Sequence, residues 1–103
     1  MDNKACIITE VVFQPCGNIV DYVMAIEQTG SQTYAGRRFT KHMIIEKFDT
    51  GFEVITDERT VVGSFIRSAK VIVTPPIDGV RYLKTEFTDD GTPKDNFGEH
   101  LRR

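Results

Sequence analysis

Two runs of β-branched and aromatic residues, joined by a single turn, constrain this chain more than any other feature. Ala5 to Gln14 carries Ile7, Ile8, Val11, Val12 and Phe13, side chains that suit a pleated, half-buried surface. Pro15-Cys16-Gly17-Asn18 stops that run. Proline cannot donate to a ladder, and glycine or asparagine takes positive φ readily. Ile19 to Gln28 then alternates, with Val20, Tyr22, Met24 and Ile26 on one face and Asp21 and Glu27 on the other. The spacing predicts an N-terminal antiparallel hairpin.

Thr29 to Gly36 is polar and broken by glycines, which reads as a loop. One helix follows, over Lys41 to Asp49. Thr40 is its N-cap, Phe39 and Ile44 are spaced as a hydrophobic staple, and Gly51 follows its end. Ile44, Ile45 and Phe48 fall on one side. So short a helix is not stable alone and must dock on the sheet. Further strands are predicted at Phe52–Thr56, Thr60–Ile66, Ala69–Thr74 and Val80–Phe87. The intervening turns are Asp57-Glu58-Arg59, Pro75-Pro76 and Asp78-Gly79, and Gly63-Ser64 reads as a bulge. The expected fold is therefore α+β: a single small antiparallel sheet of about five or six strands with one short helix on a face. The order is strand-strand-helix-strand-strand-strand-strand, without the repeated βαβ units of a nucleotide-binding fold.

The 103 residues fit a single domain, 1–103, with a mobile tail expected at 98–103. A net charge of −2 gives no basic excess of the kind nucleic-acid binders carry. Cys6 and Cys16 lack metal-site spacing. Met1-Asp2-Asn3-Lys4 does not resemble an export signal, and no stretch has the length of a membrane span. The expected setting is a reducing cytoplasm with free thiols, Cys6 in the core and Cys16 exposed.

Near the C-terminus, Arg81-Tyr82-Leu83-Lys84-Thr85, then Asp90-Gly91-Thr92, then Asp95-Asn96 resembles the closing signature of a family of small bacterial domains of unknown function, numbered 3892. The helix at Lys41–Asp49 followed by Gly51-Phe52-Glu53-Val54 is similar to that family's helix–glycine–strand step. The resemblance spans roughly residues 37 to 97. Phe97 stands where the family usually has leucine, and His100-Leu101-Arg102-Arg103 replaces its Leu-Pro ending. The resemblance implies a fold and a bacterial or phage-type origin, and no catalytic residues.

The acidic turn 89–96 offers oxygens to a hard cation, but its spacing is not that of an EF-hand. A structural reading is simpler: Asp90-Gly91 turns the chain, and the Asp95 and Asn96 side chains bond nearby backbone groups and hold the tail against the sheet. His42 and His100 have no evident partner for acid–base work, and Cys6 or Cys16 with His42 forms no recognisable nucleophilic motif. No catalytic residue, cofactor or metal site is expected, and the chain is not expected to be an enzyme.

What remains is surface. Arg37, Arg38 and Lys41, with Arg81, Tyr82 and Lys84, form the candidate interaction surface. Tyr82 reads either as a stacking ring beside two cations or as a core ring on the face of Val80. The expected function is a small non-catalytic module that binds another protein, of the kind a phage or mobile element uses as an inhibitor. The alternatives are a nucleic-acid accessory protein using Arg37, Arg38, Lys41 and Arg102-Arg103, and a small-ligand or metal-binding protein using turn 89–96. Edge strands of so small a sheet also invite a homodimer.

Overall fold

A computed structural model describes residues 4–57 and 68–97, and the strand backbones at 61–62 and 65–66. The turn at Asp57-Glu58-Arg59 in its greater part, the Gly63-Ser64 bulge and the tail 98–103 lie outside the described residues. The elements in chain order are β1 (Lys4–Phe13), β2 (Val20–Thr29), β3 (Gln32–Thr33), β4 (Arg37–Thr40), α1 (Lys41–Asp49) and β5 (Glu53–Thr56). They are followed by β6 (Val61–Val62), β7 (Phe65–Ile66), β8 (Val71–Val73) and β9 (Leu83–Thr85).

The architecture is α+β, built on the N-terminal hairpin. β1 and β2 pair antiparallel along almost their whole length. β3 and β4 both pair antiparallel with the far edge of β2, and β5 lies on the other side of β1. β6–β7 and β8–β9 form separate two-stranded antiparallel ribbons.

The main sheet is mixed, which corrects the expectation of a purely antiparallel one. β5 runs parallel to β1, in register Ala5↔Glu53 to Ile8↔Thr56. The cause is β4, a strand the sequence reading missed between the loop and the helix. β4 is antiparallel to β2 and so shares the direction of β1. α1 carries the chain back across the hairpin, and β5 re-enters in that same direction. The helix therefore bridges opposite edges of the sheet rather than merely lying on one face.

Local chemistry sets both ends of α1. The Thr40 side chain accepts from the Met43 amide at 3.2 Å, filling one of the orphan donors at a helix start. At the other end, Phe52 N–H donates to Lys47 O at 3.0 Å and Gly51 N–H to Phe48 O at 3.2 Å. With Gly51 at φ +93°, this is a Schellman closure, whose left-handed residue favours glycine. Phe39 and Ile44, the two staple residues, are fully buried.

The core lies between α1 and one face of the sheet. It gathers Cys6, Ile8 and Val11 from β1, Val20, Val23 and Ala25 from β2, and Phe39, Ile44, Val54, Val71, Leu83 and Phe97 from later elements. Each large side chain withdrawn from water in this way contributes about 2 kcal/mol. The buried set of β2 corrects the alternation read from sequence. Thr9 and Asp21 have no partner in the β1–β2 register. Each extra residue shifts the pleat by one. Val20 thus shares the core face with Val23 and Ala25, while Tyr22, Met24 and Ile26 turn to the outside.

The C-terminal strands are shorter than the sequence suggests. Val80 closes a turn with Ile77 by reciprocal backbone hydrogen bonds of 2.9 and 3.0 Å. Asp78 and Gly79 both have positive φ there, the geometry of a tight hairpin turn. Val80 is exposed and Tyr82 buried, so the two do not share a face as the alternation predicted. β8 meets β5 through the Ile55↔Lys70 bridge, with Thr56 N–H donating to Ala69 O at 2.9 Å.

The closing segment is stitched to three places. Asp95 N–H donates to Asn18 O at 2.8 Å, in the β1–β2 turn, and Asn96 N–H to Leu83 O at 2.9 Å. The Asp95 carboxylate, itself buried, accepts from Val20 N–H and Leu83 N–H, both at 2.7 Å, and from Lys41 Nζ at 3.1 Å. Removing it leaves two buried amides and an ammonium without their acceptor. Asp95→Ala is expected to lower unfolding free energy by about 3 kcal/mol, with a smaller loss for Asp95→Asn, as measured by urea denaturation. A loss below about 0.5 kcal/mol, the range of an inconsequential surface change, would show that this carboxylate does not hold the fold together.

Candidate functional site

The six residues singled out from sequence do not form one surface. Lys84 is fully buried and Tyr82 nearly so, which removes both from any exposed patch. Lys84 Nζ donates to Asp90 Oδ1 at 3.2 Å and to Thr92 O at 2.7 Å, and lies 3.7 Å from Asp89 Oδ1. Its role is to organise the acidic turn from within. Asp90 Oδ1 also accepts from Thr92 N–H at 3.1 Å and Thr92 Oγ1–H at 2.6 Å. These bonds, first from Thr92 and then from Lys84, hold the Asp90 carboxyl well below its ordinary range. Internal donors thus engage the oxygens that a cation would need. Among the described residues, no three His, Cys, Asp or Glu side chains converge on a point that could hold a metal ion.

Lys41 and Arg81 do come together, along one flank of α1. They line a groove of about 420 Å³ with Gln14, Ile19, Ile45 and Val80. Both cations are already engaged. Lys41 pairs with Asp95 and lies 4.9 Å from the Tyr82 ring centre. Arg81 grips Asp49 with two hydrogen bonds of 2.8 and 3.0 Å, holding that carboxyl below its ordinary range.

Arg37 and Arg38 sit on β4, pointing to opposite sides of the sheet. Arg37 reaches Glu27 at 2.9 Å, and Lys47 reaches the same oxygen at 3.2 Å. Partial burial works against ionisation of Glu27, but the hydrogen bonds from Arg37 and Lys47 win and lower its pKa. Arg38 differs. Its guanidinium lies 3.9 Å from the Tyr22 ring centre, and it has no carboxylate partner among the described residues.

Arg38 also marks the border of a feature that sequence reasoning missed, the outer face of the main sheet. Ile7 stands opposite Ile26 on one side and Ile55 on the other; Val12 stands opposite Tyr22, and Met24 lies between Glu10 and Arg38. These apolar side chains are half-buried and none belongs to the core cluster. The helix and the β8–β9 ribbon pack on the opposite face. The signal in the sequence was Val54-Ile55, two apolar neighbours on one strand, which puts apolar surface on both sides of a sheet. The bulges at Thr9 and Asp21 hid the rest.

Fold and surface together define a small α+β domain with one covered sheet face and one apolar, half-buried face. No protein-family model, curated protein or solved structure matches this chain. Among the described residues, no helix is long and apolar enough to cross a membrane.

Two chemical outcomes follow from these environments. Asp90 contributes stability that is present above its ordinary value of 3.8 and is lost only as pH falls through its lower folded value. The Thr92 amide resonance is therefore expected to titrate with a midpoint below 3.8; a midpoint at or above that value would show the hydrogen bonds to be absent in solution. Burial, reinforced by the Glu27 charge, pushes the Cys6 thiol up to about 11, while Cys16 is exposed. At neutral pH a maleimide reagent is expected to modify Cys16 in the native protein and Cys6 only in denaturant. Equal labelling rates would contradict the buried placement of Cys6.

Proposed function

We propose that this chain is a non-catalytic protein-binding module that engages its partner through the outer face of the main sheet. The observation that carries the reading is the row Ile55–Ile7–Ile26 with Met24, Tyr22 and Val12 beside it, crossing the sheet on the face opposite the helix. An apolar row of this kind, with Glu10 opposite Met24 and an arginine over the Tyr22 ring beside it, has the composition of a protein interface: apolar in the middle, with aromatic and charged residues around it. The cations do not favour nucleic acid in the same way. Arg37, Lys41, Arg81 and Lys84 all face carboxylates of the chain itself, so these four cations form no stripe of uncompensated charge.

A comparison of captures from lysate of the native host tests the reading. Tagged protein and the helix variant His42→Ala are expected to retain the same partner. Ile26→Lys, which puts a charge in the apolar row, is expected to reduce recovery at least about tenfold, a little over 1 kcal/mol. Circular dichroism should show both variants folded. Undiminished recovery with Ile26→Lys, or equal loss with His42→Ala, would sink the proposal.

A further inference from the structure

We propose that β4 is the docking edge of this module, and that its occupant is an extended acidic segment of the partner protein, added to the sheet as a strand beside Arg37–Thr40. The inference rests on the protein-binding reading and specifies the chemistry of the partner. β4 pairs with β2 on one side, and no described strand pairs with its other side. The opposite edge of the main sheet is different: β5 is met there by the Ile55↔Lys70 bridge. The backbone N–H and C=O groups along the outer side of β4 thus form a template for strand addition.

Charge selects the occupant. Arg38 is exposed, and its guanidinium is stacked on Tyr22 at 3.9 Å. Stacking uses the flat face of the group and leaves its in-plane N–H donors free to bind a carboxylate. Arg37, on the other side of the strand, is already held by Glu27. A second copy is a poor occupant, because antiparallel pairing of β4 with itself sets Arg38 against its own counterpart when centred on Arg38, and Arg37 against Lys41 when centred on Phe39. Like charges across a strand pair are destabilising. An incoming strand with carboxylates on its outer side removes that conflict and meets Arg38. Apolar residues at the alternate positions of that strand would point to the opposite side of the sheet, the side of Phe39.

A peptide of alternating glutamate and valine, with its lysine–valine counterpart, provides the test with the intact protein. The acidic peptide is expected to shift the amide resonances of Arg37–Thr40 in a saturable way, and the basic peptide to leave them unmoved. Arg38→Ala should weaken the acidic peptide roughly threefold or more, as for an exposed charge pair. N-methylation of alternate peptide amides should abolish binding without altering the protein at all. Absence of binding, shifts confined to other elements, equal binding of the two peptides or insensitivity to N-methylation would each overturn the proposal. So would sedimentation showing a dimer that Arg38→Ala does not strengthen. If the peptides fail while a host partner is still lost on Ile26→Lys, the edge is wrong and the outer face stands. If that partner is absent too, the binding reading itself fails.

Discussion

The buried carboxylate of Asp95 is the interaction on which the rest of this small domain depends. It joins the first residue of β2, the first residue of β9 and the first turn of α1 through two amides and one ammonium. Neither β9 nor α1 is long enough to be positioned by its own packing alone. β9 has three residues and α1 nine, and so short a helix is marginal by itself. A carboxylate that accepts several charge-assisted hydrogen bonds in a dry site imposes a geometry that apolar contacts would leave loose. The same geometry places Tyr82 under Lys41 and leads Lys84 inward to the acidic turn.

With the C-terminal segment fixed on the core side, the two faces of the main sheet acquire different fates. The core face is closed by α1, Phe97 and the β8–β9 ribbon. The outer face keeps an apolar row in a half-buried state. The two bulges in the hairpin create this asymmetry, because each shifts the pleat and redirects every later side chain. Were Asp21 paired regularly instead of bulged, Val20 would share a face with Tyr22, Met24 and Ile26, as the simple alternation implies.

Much of the local structure was legible in the residues themselves. The hairpin, the extent of α1, its threonine cap and its glycine closure all depend on interactions within a few positions of one another. The buried state of Cys6 and the tethering by Asp95 were legible too, since an apolar run and an Asp-Asn pair after a turn have few other uses. β4 was not legible. Arg37-Arg38-Phe39-Thr40 is short and strongly charged, and becomes a strand only because β2 offers it a ladder. The candidate surface was correspondingly misread. Lys84 and Tyr82 look like exposed neighbours of Arg81, but burial in a closed turn and under Lys41 gives them interior roles.

By itself, then, the sequence determined the α+β class, the hairpin, the helix and its ends, because period, caps and turn residues act locally. Tertiary structure alone decided that β5 would lie parallel to β1, that Tyr22, Met24 and Ile26 would face outward, and which cations would remain unpaired. Those outcomes depend on register, on a crossover between opposite edges of the sheet and on contacts between residues such as Asp95 and Val20, 75 positions apart. Periodicity carries no information about partners at that distance.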